Sequence, residues 1–114
     1  MDIKQLCKEK FLYFDGGTGT MLQAAGLKPG EKPEEWNIKH PDKITALHKA
    51  YLNAGSDFVT TNTFGSNRLK FGSSYESIIK SGVECAKSAA ASCGRGFVAL
   101  DIGPTGKLLE PIGD

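Results

Sequence analysis

Three short runs rich in aromatic and β-branched residues, each with a polar tip, constrain this chain most. They are "FLYFD" at 11–15, "DFVTT" at 57–61 and "FVALD" at 97–101. Short, continuous apolar runs of this kind suit strands buried on both faces. Helical patterns separate them. In "DKITALHKAYLNAG" the apolar positions Ile44, Leu47, Tyr51 and Leu52, with His48 among them, recur at helical offsets. Pro41 suits the first helical position and Gly55 the stop. Residues 75–93 give a second helix, with Ile78, Ile79, Gly82, Val83, Ala86, Ala89, Ala90 and Cys93 on its buried side and Gly94 and Gly96 beyond its end. A short helix is expected over 18–25. Residues 26–40 and 62–74 are expected as loops, the second with room for a short helix. The order β-α-β-α-β predicts an α/β fold of parallel strands joined by right-handed crossovers.

In parallel α/β folds, ligands bind beyond the C-terminal ends of the strands. Here the first strand would offer Asp15, Gly16 and Gly17 at that end. The second would offer Thr60, Thr61, Asn62 and Thr63, and the third Asp101 and Gly103. Two accounts of the Gly16-Gly17 pair compete. Glycine lets backbone approach a small ligand closely, or it serves a tight turn that needs positive φ.

Composition narrows the classes. The 114 residues fit one domain, and 14 basic against 13 acidic residues give a net charge of +1. That balance lacks the basic surplus of a nucleic-acid binder. No apolar run approaches the roughly 20 residues that cross a bilayer. "MDIKQLCKEK" lacks the apolar core of a signal peptide, so a cytoplasmic location is expected. Cys7, Cys85 and Cys93 form no C-x-x-C pair, so neither a disulfide framework nor a zinc site is expected of them. Cys85 and Cys93 are expected as inert packing groups.

Nucleotide motifs fail on inspection. Gly17-Thr-Gly19-Thr-Met-Leu22 supplies two glycines of G-x-G-x-x-G and breaks at Leu22. "GPTGKLL" is not a Walker loop, because Asp101 and Leu108 stand where Gly and Ser or Thr belong. His40 and His48 lie eight apart, which suits no metal pair; His48 is expected as a packed group whose nitrogen bonds a carbonyl. Trp36, in the long loop, is free to cover either a core edge or a ligand.

The blocks "DGGTGTMLQ", "PEEWNIKHPDKITALHKAYLNAGSDFVTTNTFGSN" and "LDIGPTGKLLEP" together resemble the start of the homocysteine S-methyltransferase domain, particularly the N-terminal module of cobalamin-dependent methionine synthase. The likeness runs in register from about residue 10 to residue 114. It implies a TIM barrel, of which these residues would be the first three βα units, an incomplete barrel with parallel strands. It also implies methyl transfer to the zinc-activated thiol of homocysteine, with methylcobalamin as donor. The zinc ligands would lie outside residues 1–114, as would the folate and cobalamin modules that are the expected partners. Residues 1–114 alone would then be inactive.

By the same resemblance the D-G-G turn faces the amino-acid end of homocysteine. Asp15 would accept from the ammonium, and Gly16 and Gly17 would present amides to the carboxylate. Thr61, Asn62, Thr63 and Phe64 match the block at the second strand tip, and Asp101 and Gly103 the third. Rim-building is the expected role for these. Two other readings remain open. One is a non-catalytic α/β module binding a small anion or nucleotide. The other is a structural partner that completes a barrel with a second chain.

Overall fold

The structure, a computed structural model, describes residues 2–66 and 71–103. The middle of the second expected loop, 67–70, and the stretch from Pro104 onward lie outside the described residues.

Two strands form a regular parallel ladder. β1 (Phe58–Thr60) pairs with β2 (Phe97–Ala99), with Val59 opposite Val98. Both are shorter than the sequence suggests, and the reason is visible at their ends. Thr61 N–H still donates to the Ala99 carbonyl at 2.9 Å. One step on, the Asp101 N–H turns to the Thr61 hydroxyl at 3.1 Å, so a side chain takes over from the ladder.

Among the described residues five α-helices accompany the strands: α1 (Ile3–Glu9), α2 (Gly19–Ala24), α3 (Trp36–Lys39), α4 (Pro41–Asn53) and α5 (Tyr75–Cys93). Single 3-10 turns occupy Pro33–Glu35 and Gly72–Ser74. Sequence patterning assigns no helix to 3–9 and none within 26–40. α1 buries no residue, so no apolar stripe could announce it. α3 has four residues, too few to show a period.

α4 and α5 follow their predicted faces. Ile44, Leu47, His48 and Leu52 are buried on α4, and Ile78, Gly82, Cys85, Ala86 and Ala89 on α5. One cluster joins Leu52, Val59, Ala86 and Ala89; another joins Leu22, Trp36, Ile44, Leu47 and Cys85. Trp36 therefore belongs to the core. α5 comes close because residue 82 is glycine: a Cβ there would lie 2.8 Å from Asn37 Nδ2 and 2.9 Å from Thr63 Cγ2. On the other face of the sheet, aromatic rings form a row. Phe14 stacks on Phe58 with centroids 4.5 Å apart, and Phe58 meets Phe97 at 5.2 Å.

The segment 11–15 departs from expectation. It runs beside β1 but forms no ladder. The Tyr13 carbonyl accepts from both Asp57 N–H (2.8 Å) and Phe58 N–H (3.1 Å). Tyr13 N–H donates to the Asp57 carboxylate at 2.9 Å, so a side chain stands where a strand carbonyl would. Nor is the segment buried on both faces: Phe11 is 85% exposed, Tyr13 63% and Phe14 59%.

Asp57 is the tie point. Its carboxylate also accepts from Lys10 at 3.1 Å and from Arg95 at 3.0 Å, while Arg95 donates to the Leu52 and Ser56 carbonyls. The N–H of Tyr13, and then the Lys10 ammonium, hold this carboxyl below its ordinary range.

Candidate functional site

The strand tips meet at one cavity of about 180 Å³, lined among others by Gly19, Glu34, Thr61, Thr63 and Asp101. Asn62 and Phe64 line it too. Five of the nine residues singled out from the sequence (Thr61, Asn62, Thr63, Phe64, Asp101) therefore share one space. Gly103 closes the rim against Phe64, where a Cβ would run into the Phe64 carbonyl oxygen. Asp15, Gly16 and Gly17 do not line the cavity; their chain neighbours Thr18 and Gly19 do.

Asp15 is engaged within the protein. Its carboxylate accepts from Thr60 N–H at 3.0 Å and from the Thr60 hydroxyl at 3.1 Å. This ties the end of segment 11–15 to the end of β1. Gly16 and Gly17 have no positive φ, so the turn does not need them for that reason. At Gly16 the need is proximity. A Cβ there would sit 3.0 Å from the Tyr51 hydroxyl, which donates to the Gly17 carbonyl at 2.7 Å. The close approach is to a tyrosine of this chain.

A hydrogen-bonded knot fixes the other tips. The Thr63 hydroxyl donates to the Asp101 carbonyl at 2.7 Å, which spends its single proton. In the 2.7 Å contact between the Thr61 and Thr63 hydroxyls, Thr61 must then donate. Thr61 in turn accepts from Asp101 N–H. Neither hydroxyl has a proton left for a ligand. Asn62 likewise spends both amide hydrogens, on the Pro33 carbonyl (2.8 Å) and Asn37 Oδ1 (3.0 Å). Asn37 donates to the Asn62 and Ile78 carbonyls, which pins the knot to α5.

Two buried groups stand out for what they lack. Glu34 is 6% exposed; Oε2 accepts from Gly65 N–H at 3.4 Å, and Oε1 is buried with no partner. Sequence reasoning missed it. The available signal was Pro33 followed by two acids, a helix-start pattern inside a stretch read as loop. His48 is 1% exposed and neither ring nitrogen has a partner, against the expected bond to a carbonyl. Burial pushes this imidazole below its ordinary value, while the nearby Asp15 charge acts the other way.

The cysteines do not assemble. Cys7 is exposed, Cys85 buried and Cys93 half-buried, and burial raises the Cys85 thiol pKa. Among the described residues no three His, Cys, Asp or Glu side chains come together as a metal site. Zinc therefore does not fit the described part of this chain. No helix among the described residues is long and apolar enough to cross a membrane.

The sequence matches the homocysteine S-methyltransferase family over residues 12–113. The chain belongs to that family. Among solved structures, it is similar to the homocysteine methyltransferase MmuM from Escherichia coli. The metallated form superposes with a TM-score of 0.81 at 22% identity, over 91% of this chain and 42% of that one. The apo form gives 0.72 at 26% identity, over 91% and 40%. The chain thus spans about two fifths of the length of those structures. The likeness shows the fold: the βα units of this homocysteine S-methyltransferase domain are those of a TIM barrel, seen here as an open sheet.

Proposed function

We propose that this chain supplies the homocysteine-facing rim of a methyltransferase of the methionine synthase type. In that reaction a bond forms between the homocysteine sulfur and the methyl carbon, the methyl leaves its donor, and the thiol proton is released. Methionine is the product. The observation that carries the reading is the convergence of polar strand tips on one cavity within a chain of this family.

The described residues would bind and orient. The turn at Asp15, Gly16 and Gly17 approaches the amino-acid end of the substrate, and the negative charge of Asp15 favours the ammonium there. Thr61, Asn62, Thr63, Phe64, Asp101 and Gly103 hold the shape of the rim, because the Thr61, Asn62 and Thr63 donors are spent within the protein, on the Asp101 carbonyl, Pro33, Asn37 and one another. A rim fixed in this way keeps its donors and acceptors in place before substrate arrives. Methylcobalamin as donor, the folate and cobalamin modules as partners, zinc held elsewhere and a cytoplasmic setting all belong to this reading. Their support is the resemblance of "DGGTGTMLQ" and "LDIGPTGKLLEP" to that enzyme type. No step is assigned to zinc within this chain.

The test is an assay of a protein carrying this chain for methionine formation from homocysteine, with methylcobalamin supplied. Methionine formed in proportion to enzyme is expected. Absence of both turnover and homocysteine binding would contradict the reading.

A further inference from the structure

We infer that Tyr51 is a positioning residue: from α4 it fixes the Gly16-Gly17 turn, and through that turn the residues by which the chain enters the rim cavity. The assignment rests on the homocysteine reading above. Tyr51 is half-buried and packs against both apolar clusters, so its ring is anchored in the core. Its hydroxyl leaves the core and donates to the Gly17 carbonyl at 2.7 Å. Tyrosines with a buried ring usually find an acceptor, so this bond alone would say little. The second observation is the space at residue 16. A Cβ there would lie 3.0 Å from the Tyr51 hydroxyl oxygen, 3.2 Å from Cε1 and 3.4 Å from Cζ. The ring cannot swing aside without leaving both clusters. One side chain thus meets two successive residues of the turn, Gly17 by a hydrogen bond and Gly16 by an approach that a Cβ would crowd.

The turn needs such a hold. Neither glycine has a positive φ, so no special backbone conformation defines it. Ahead of it, segment 11–15 forms no ladder and is tied to β1 where Thr60 donates to Asp15. Behind it, α2 begins at Gly19, and the Thr18 side chain makes no capping bond there. A pair of glycines between two such ends keeps its conformational freedom unless a neighbour restrains it. Thr18 and Gly19 line the cavity, so a displaced turn displaces that wall. Tyr51 itself does not line the cavity, and it acts on a ligand only through the turn. A phenylalanine would serve the two clusters equally well. The hydroxyl is accounted for by the Gly17 carbonyl, and the glycine at 16 by the hydroxyl.

The test is a double-mutant cycle in a protein carrying this chain, read by L-homocysteine affinity and by chemical denaturation. Tyr51→Phe keeps the ring in both clusters and releases the Gly17 carbonyl to water. It should weaken homocysteine about 3- to 10-fold and leave the denaturation midpoint nearly unmoved. Gly16→Ala should weaken homocysteine by about 10-fold or more, because the turn must lift off the ring. Made in the Tyr51→Phe background, the same alanine should cost about 3-fold less, since the nearest atom is gone. An alanine variant that folds only in that background is the same rescue in a stronger form. Should neither alanine variant fold, Tyr51→Phe decides alone. Unchanged homocysteine affinity in Tyr51→Phe would overturn the assignment. So would an affinity loss matched by a large fall in the denaturation midpoint, which would mark Tyr51 as a core residue only. Equal cost of Gly16→Ala in the two backgrounds would overturn it as well. Each of these leaves the homocysteine reading standing. If the unmutated protein does not bind homocysteine, that reading fails and the assignment falls with it.

Discussion

The β1–α5–β2 unit and the segment 11–17 are held in place by different means. In the first, a ladder and a buried apolar cluster do the work: Leu52, Val59, Ala86 and Ala89 are all nearly inaccessible. In the second, two aspartates do. Asp57 grips Tyr13 and Asp15 grips Thr60, while Phe11, Tyr13 and Phe14 stay exposed. Burial by helices from one side is enough to set a parallel crossover. A strand with no ladder partner must be pinned by side chains, and one of the pins, Asp15 on Thr60, sits at the strand end that leads into the candidate site.

Substitutions should separate the two regimes. Leu52→Ala, on α4 where it packs against the β1–α5–β2 unit, should cost about 2–5 kcal/mol, read from chemical denaturation, because the cavity it leaves is lined by a helix and a strand that cannot collapse onto it. A loss below about 1 kcal/mol would mean that the crossover unit is less tightly packed than its burial implies.

pH should affect the pinned segment and α4 in separate windows. The His48 imidazole is held below its ordinary value of 6.5, so the unfolded chain takes up this proton first. Stability should therefore fall as pH drops below about 6.5, and His48→Phe should remove that slope. The Asp57 carboxyl is held below its ordinary 3.8, so its contribution should persist above that value and fade as pH falls beneath it. Asp57→Asn should shrink the lower window, which the Glu31 carboxyl also feeds, and leave the upper. Denaturation midpoints followed across pH check both; an upper window that persists in His48→Phe, or a lower window undiminished in Asp57→Asn, would contradict the assignment.

Smaller effects belong to the exposed aromatics. Phe14→Ala removes one stacked pair and should cost about 0.5–1.5 kcal/mol. Phe11→Ser should change stability by less than about 0.5 kcal/mol. Were Phe11 to matter as much as Leu52, the contrast between the two regions would be wrong.

The same contrast marks where the sequence was readable. α4 and α5 show 3.6-residue stripes because each packs one face on the sheet, and those stripes could be read directly. Segment 11–15 has the composition of a buried strand, yet composition cannot report that Asp57 would replace its ladder partner. The rim residues Thr61, Thr63 and Asp101 were legible as a group, since strand ends bring them together. Their spent protons were not, because the pairing depends on which hydroxyl meets which carbonyl. Glu34 was illegible for a related reason: it lies in an aperiodic stretch, and only the folded chain shows that one of its oxygens is left alone.

On the proposed function, the amino-acid end of homocysteine enters at this rim. Amide shifts recorded while homocysteine is titrated into an isotope-labelled protein carrying this chain address it directly. Perturbation should concentrate at residues 15–19, 34, 61–65 and 101–103, and stay small along α1 and the outer faces of α4 and α5. Saturable binding with the shifts gathered elsewhere, or no saturable shift at all, would contradict it.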